Sequence, residues 1–151
     1  MTDDFFDKLD KKISEQESAD RVARNQTMVN REFSHEAIRK MLEIATSYKG
    51  KLRERDIHAE ISGNQRGFSF KMIWADGGHR ALEVYPDLHS GRIQFHTAFT
   101  NDDGRNLRST DGASYDAGNW KDEDFEPKLK KLIDDFVFYA DRHGGLKFDR
   151  R

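Results

Sequence analysis

Three of the chain's six histidines fall within the stretch HRALEVYPDLHSGRIQFH, from His79 to His96, which also holds Glu83, Tyr85, Asp87 and two arginines. A histidine that titrates near neutrality beside a carboxylate that orients it is the minimum equipment for general acid–base chemistry. Alternating apolar residues place this stretch on two strands. Facing apolar residue to apolar residue, with a three-residue turn at Asp76 to Gly78, sets Lys71 opposite Glu83 and Glu83 opposite His96 or Gln94. His58 then falls beside Lys71, and one sheet face carries the row His58, Lys71, Glu83, His96. Nothing in the row is a recognisable nucleophile, and Lys71 competes for Glu83. Opposite charges across strands also stabilise any solvated sheet face, by roughly 0.2–1 kcal/mol per pair. An enzymatic reading, a small hydrolase built on Glu83 and His96, therefore requires a concave pocket over the row.

Other chemistries find less support. His79, His89 and His96 lack the closely spaced pairs of a zinc site, and no cysteine is present to supply a thiolate or a disulfide. Placing the glycine of a calcium loop on Gly104 puts Phe99 and Thr110 at its two end positions, and placing it on Gly112 puts Leu107 and Gly118 there; both lack the required carboxylates. The chain has no phosphate-binding glycine loop, no Gly-x-Ser-x-Gly elbow and no His-Glu-x-x-His. The expectation is a protein with no metal, no cofactor and no catalytic residue fixed by a motif.

The elements that position the hairpin follow from periodicity. Ala37, Ile38, Met41, Leu42 and Ala45 predict a helix over residues 35–49, with Ser34 as its cap, Phe33 and Ile38 as a hydrophobic staple and Gly50 as its stop. Alternation from Ile57 to Ile61, Phe68 to Trp74, Leu82 to Tyr85 and Ile93 to Phe99 predicts four strands joined by short turns. Residues 100–120 read either as a long turn-rich loop or as one that holds a short fifth strand around Arg105 to Ser109. Phe125, Leu129, Leu132, Ile133, Phe136, Val137 and Ala140 predict a last helix over residues 124–143, capped by Asp122 or Asp124. The fold class is α+β: a four- or five-stranded antiparallel meander with two helices packed on one face and an N-terminal helical arm.

The arm is residues 1–30, the α+β domain 31–145 and the tail 146–151. The arm opens with Thr2 placed to cap a helix and Asp3 and Asp4 in its first turn. Its apolar strip, Phe5, Phe6, Leu9 and Ile13, then runs out, as in an arm that frays or folds onto its own domain, or in a helix completed by a partner.

Composition sets limits on partners. The chain has 151 residues and a net charge of −2, with 36% charged and 35% hydrophobic residues and eleven phenylalanines, consistent with one aromatic core. Charge is unevenly spread: residues 1–20 carry a net −4 and residues 21–60 a net +3. The basic cluster Lys49, Lys51, Arg53 and Arg55 is the basis for a nucleic-acid-binding accessory role, but Glu54 and Asp56 interrupt it. No signal-peptide pattern opens the chain and no apolar run nears the ~20 residues that span a bilayer, so a cytoplasmic protein without membrane contact is expected. The reading favoured by these features is a small protein-binding module (adaptor, inhibitor or chaperone-like) acting on another protein or on itself. Its contact residues are Phe5, Phe6, Leu9 and Ile13 on the arm and Tyr115 and Trp120 on the loop, with Lys71, Glu83 and His96 as a secondary polar site.

Overall fold

No glycine or proline stands between Thr2 and Lys49, and the chain forms one unbroken helix there, α1 (Thr2–Arg53). The structure is a computed structural model that describes residues 2–148, without the side chain of Thr2, so the capping role expected of Thr2 lies outside the described residues. Five strands follow: β1 (His58–Asn64), β2 (Gly67–Ile73), β3 (His79–Pro86), β4 (Ile93–Thr100) and β5 (Asn106–Tyr115). A short 3-10 turn leads into α2 (Phe125–Phe138), and another, Ala140–His143, closes it. The strands form one antiparallel sheet in the order β1-β2-β3-β4-β5. The fold is α+β, a five-stranded meander with both helices on one face and an N-terminal helical arm.

Alternation decides which face is buried. Phe68, Phe70 and Met72 of β2, Leu82 and Val84 of β3, and Ile93 and Phe95 of β4 meet Ile38, Met41 and Ala45 of α1 and Phe125, Leu129, Leu132 and Phe136 of α2 in a single core. The two helices are tied to each other at its edge, where the Tyr48 hydroxyl donates to Glu126 at 2.8 Å and Lys40 pairs with Asp122 at 3.0 Å. Val137, expected to face inward, is about half exposed, because the inward stripe runs through Leu132, Phe136 and Ala140 instead.

The sequence expectation of a helix starting at Ser34 is corrected. Ser34 sits mid-helix, fully buried, with its hydroxyl 2.7 Å from the Asn30 carbonyl and 2.6 Å from the Gly91 carbonyl. One hydroxyl has one proton, and the Asn30 carbonyl is already served within the helix, so the proton belongs to Gly91. Gly50 does not stop the helix either. The end comes at Asp56, in the left-handed region at φ 59°, where the Ile57 amide donates to the Leu52 carbonyl and the Asp56 amide to the Arg53 carbonyl. These are the two bonds of a Schellman cap.

The β2–β3 register is also corrected. Trp74 was expected to continue the strand; it leaves it instead, stacking on Phe136 (centroids 4.9 Å apart) and on His143 (3.9 Å), with its indole N–H donating to the Phe136 carbonyl at 2.9 Å. The last β2–β3 pair is therefore Ile73 with His79, so Ser69 faces Glu83 and Lys71 faces Ala81, two residues away from the expected pairing. The fifth strand is longer than expected and takes up much of the loop.

Above the helix, the β3–β4 loop lies so close that a Cβ on Gly91, whose φ is +72°, would stand 2.7 Å from the Thr27 carbonyl oxygen. Asn30 donates to the Ser90 carbonyl (3.0 Å) and Arg31 to that of Leu88 (2.9 Å). This latch predicts that Ser34→Ala, which leaves the buried Gly91 carbonyl unpaired, lowers unfolding free energy by about 1–3 kcal/mol in urea titrations. Gly91→Ala is expected to lose at least as much, because close approach and backbone strain add. Wild-type urea midpoints for both variants would show that the latch is not structural.

Candidate functional site

Alternation sends Ser69, Lys71, His79, Ala81, Glu83, Tyr85, His96 and Arg108 to the sheet face opposite the helices. Glu83 of β3 faces His96 of β4, one of the two partners the strand pattern allows, and His96 faces Thr110 of β5. The carboxylate of Glu83 is nevertheless taken by a residue that sequence reasoning did not place there. Arg108 donates from Nε to Glu83 Oε1 at 2.9 Å and from Nη2 to the Tyr85 hydroxyl at 2.7 Å. The adjacent Glu83 carboxylate, and next the bond to Tyr85, raise the Arg108 pKa. The Tyr85 ring in turn stacks on His96, 5.0 Å centroid to centroid and 13° from parallel.

Among the described residues no hydrogen bond joins Glu83 to His96, and Lys71 lies across from Glu60 on one side and Ala81 on the other. His58 is drawn to Glu60 (2.9 Å) rather than into a row with Lys71, and it faces Ile73. The row expected from the sequence is thus broken into two local clusters. None of the five described hollows is lined by Lys71, Glu83 or His96. The signal that would have revealed Arg108 is the extent of β5, which decides how far along its neighbour each side chain stands.

His79, at the far end of β3, has its pKa lowered, first by burial and next by the charge of Lys71, with Glu83 opposing both. The three histidines of the opening stretch are not brought together. His89 sits in the loop over α1, where its carbonyl faces the Thr27 hydroxyl at 3.4 Å. The described residues hold no group of three or more His, Cys, Asp or Glu side chains that can bind a metal ion. One further histidine pairs with an acid: His143, buried, has Nδ1 3.0 Å from Asp76 Oδ2 and its ring flat against Trp74. That pair pins the end of the last helical turn to the β2–β3 turn, where the Asp76 amide also donates to the His143 carbonyl.

The residues singled out for contact are separated by the fold. Tyr115 ends β5, and Trp120 is buried, packed between Phe95 (5.4 Å) and Tyr115 (5.3 Å), so its ring belongs to the core. Lys49, Lys51, Arg53 and Arg55 gather at the C-terminal end of α1, where positive charge complements the helix dipole and Arg55 donates to the Lys51 carbonyl at 2.7 Å.

The arm is different. Every described side chain from Asp3 to Gln26 is exposed, Phe5 and Phe6 by 63% and 56%, and Thr27 is the first residue of α1 with a hydrogen bond outside the helix. Leu9 and Ala45 are 36 residues apart, about ten helical turns. Leu9 thus continues the side of the helix that is buried further on, yet it is exposed. Comparisons of the chain with protein-family models, with curated proteins and with solved structures find no match. No helix among the described residues is long and apolar enough to cross a membrane.

The lowered pKa of His79 has a definite sign. The unfolded chain takes up the proton first as pH falls through about 6.5, so the stabilisation by neutral His79 is full above that value and is lost below it. A His79→Gln variant should therefore lose less stability than wild type between neutral and mildly acid pH, measured as the shift in urea midpoint. Parallel profiles for the two proteins would contradict the assignment.

Proposed function

We propose that this chain is a small protein-binding module of the adaptor, inhibitor or chaperone-like kind, acting without catalysis through its N-terminal helix. One observation carries the reading: about half of a 52-residue helix stands clear of the domain with Phe5, Phe6, Leu9 and Ile13 exposed on it. Most helix stability in proteins comes from a packed apolar face, which this half of the helix lacks within the domain. The arm's own support is local, from contacts such as Gln16 to Asp20 and Lys8 to Asp4. An exposed apolar strip on a helix is the form in which helices dock onto grooves or onto each other.

The rest of the molecule fits a scaffold for that arm. The outer sheet face is closed by its own ion pairs, as at Glu83 and Arg108. A cytoplasmic setting is part of the proposal and agrees with a cysteine-free chain.

A photo-crosslinking residue placed at Phe6 or Ile13 of the full chain, in the cells that make it, tests the reading. Covalent protein adducts are expected from both positions and not from Glu123, an exposed residue of the domain. Adduct yields at the arm no higher than at Glu123 would overturn the proposal. The adduct mass also separates a second copy of this chain from a different protein.

A further inference from the structure

We propose that the arm's partner is the arm of a second copy of this chain, paired antiparallel about a two-fold axis beside Asp20 and Arg21. The inference rests on the reading of the arm as a docking element and names its occupant. An α-helix turns about 100° per residue. On that basis Phe6, Ile13, Met28 and His35 share one side of α1, about a quarter turn from the side buried against the sheet. Phe6, Ile13 and Met28 on it are exposed by 56%, 47% and 59%.

What stands along that side is self-complementary. A two-fold axis between positions 20 and 21 brings Ile13 of one copy to Met28 of the other, apolar to apolar. It brings Glu17 to Arg24 and Asp10 to Arg31, acid to base, with Asp20 meeting Arg21 at the axis. The spacings on either side, four, three and four residues, are those of a heptad seam. In such an isologous contact every pair occurs twice. The parallel, in-register alternative sets Asp10 on Asp10, Glu17 on Glu17 and Arg24 on Arg24, stacking like charges at each layer.

The same register brings Phe6 to His35, and His35 lines a hollow of about 340 Å3 with Arg31, Arg66, Pro86, Asp87 and Leu88. Leu88 there is 84% exposed. The partner's Phe6 can rest on Leu88 and Pro86, while Arg31 and Arg66 meet the acidic tip around it, Asp3, Asp4 and Asp7. The acidic first twenty residues and the arginines Arg21, Arg24 and Arg31 after them thus have one explanation: each set is the complement of the other in the second chain. Because the charged layers are solvated, the association weakens as salt rises.

Charge exchange in the full-length protein tests the register. Sedimentation of wild type, Glu17→Arg, Arg24→Glu and the double variant would be compared at low salt over a wide concentration range. Wild type is expected to dimerise, each single variant to associate at least about tenfold more weakly, and the double variant to recover most of the loss. An equimolar mixture of the two single variants should form heterodimers, since both charge pairs are then opposite in sign. Both positions are exposed, so unchanged circular dichroism and thermal midpoints confirm that the fold is intact. A wild type that stays monomeric throughout, or a dimer indifferent to these exchanges, or a double variant as weak as the singles, would overturn the pairing. In each of those cases adducts from Phe6 to another protein would leave the docking role of the arm standing.

Discussion

The architecture turns on a buried hydroxyl. Ser34, in the middle of a long helix, reaches 2.6 Å to the carbonyl of Gly91 in the loop between two strands, and the loop has a glycine there because no Cβ fits between it and the helix backbone. That contact, supported by Asn30 on Ser90 and Arg31 on Leu88, fixes where α1 meets the sheet. C-terminal to it, Ile38, Met41 and Ala45 are buried on the aromatic sheet face. N-terminal to it, the helix leaves the domain. The direction of the arm is therefore set by the packed half of α1 together with these polar contacts at its edge, and its apolar strip is held away from the core.

On the outer sheet face the ingredients of acid–base chemistry are engaged by neighbouring side chains. Glu83 and His96 are Cα partners, as an acid–base pair would demand, yet the fifth strand delivers Arg108 to the carboxylate and Tyr85 covers the imidazole. A carboxylate held by a guanidinium 2.9 Å away is an acceptor already in use. The side chains at this face satisfy one another at the surface. The arm, in contrast, has apolar surface that no described residue of the domain covers, and this asymmetry directs the functional reading toward association.

Much of the fold is legible in the sequence. Strands β1 to β4 announce themselves by alternation, because one of their faces is buried and the other is not. The same rule narrows the partner of Glu83 to His96 or Gln94, and the register of β4 decides for His96. Three features escape it, each for a physical reason. Ser34 has two uses, capping a helix or bonding sideways from within one, and only the position of Gly91 decides between them; the absence of any glycine or proline from Thr2 to Lys49 was the sequence signal for continuity. Trp74 fits the strand pattern but is drawn into a stack with Phe136 and His143, residues more than sixty positions away, and this shifts the next strand by two. Strand β5 is an edge strand whose first seven residues are exposed on both faces, so it carries no alternation to read, and Arg108 on it stayed hidden with it. The arm's strip was visible in the sequence, whereas its freedom from the domain was not.

A distance across α1 tests the central claim, that one rigid helix runs from the latch into solvent. The chain has no cysteine, so spin labels can be attached at Lys12→Cys and Lys49→Cys alone, in protein diluted with unlabelled chain. A continuous helix places these positions about 55 Å apart, and a single narrow distribution near that value is the expected result. A broad distribution centred well below it would mean that the helix breaks near Ser34 and that the arm folds back on the domain, contradicting the account.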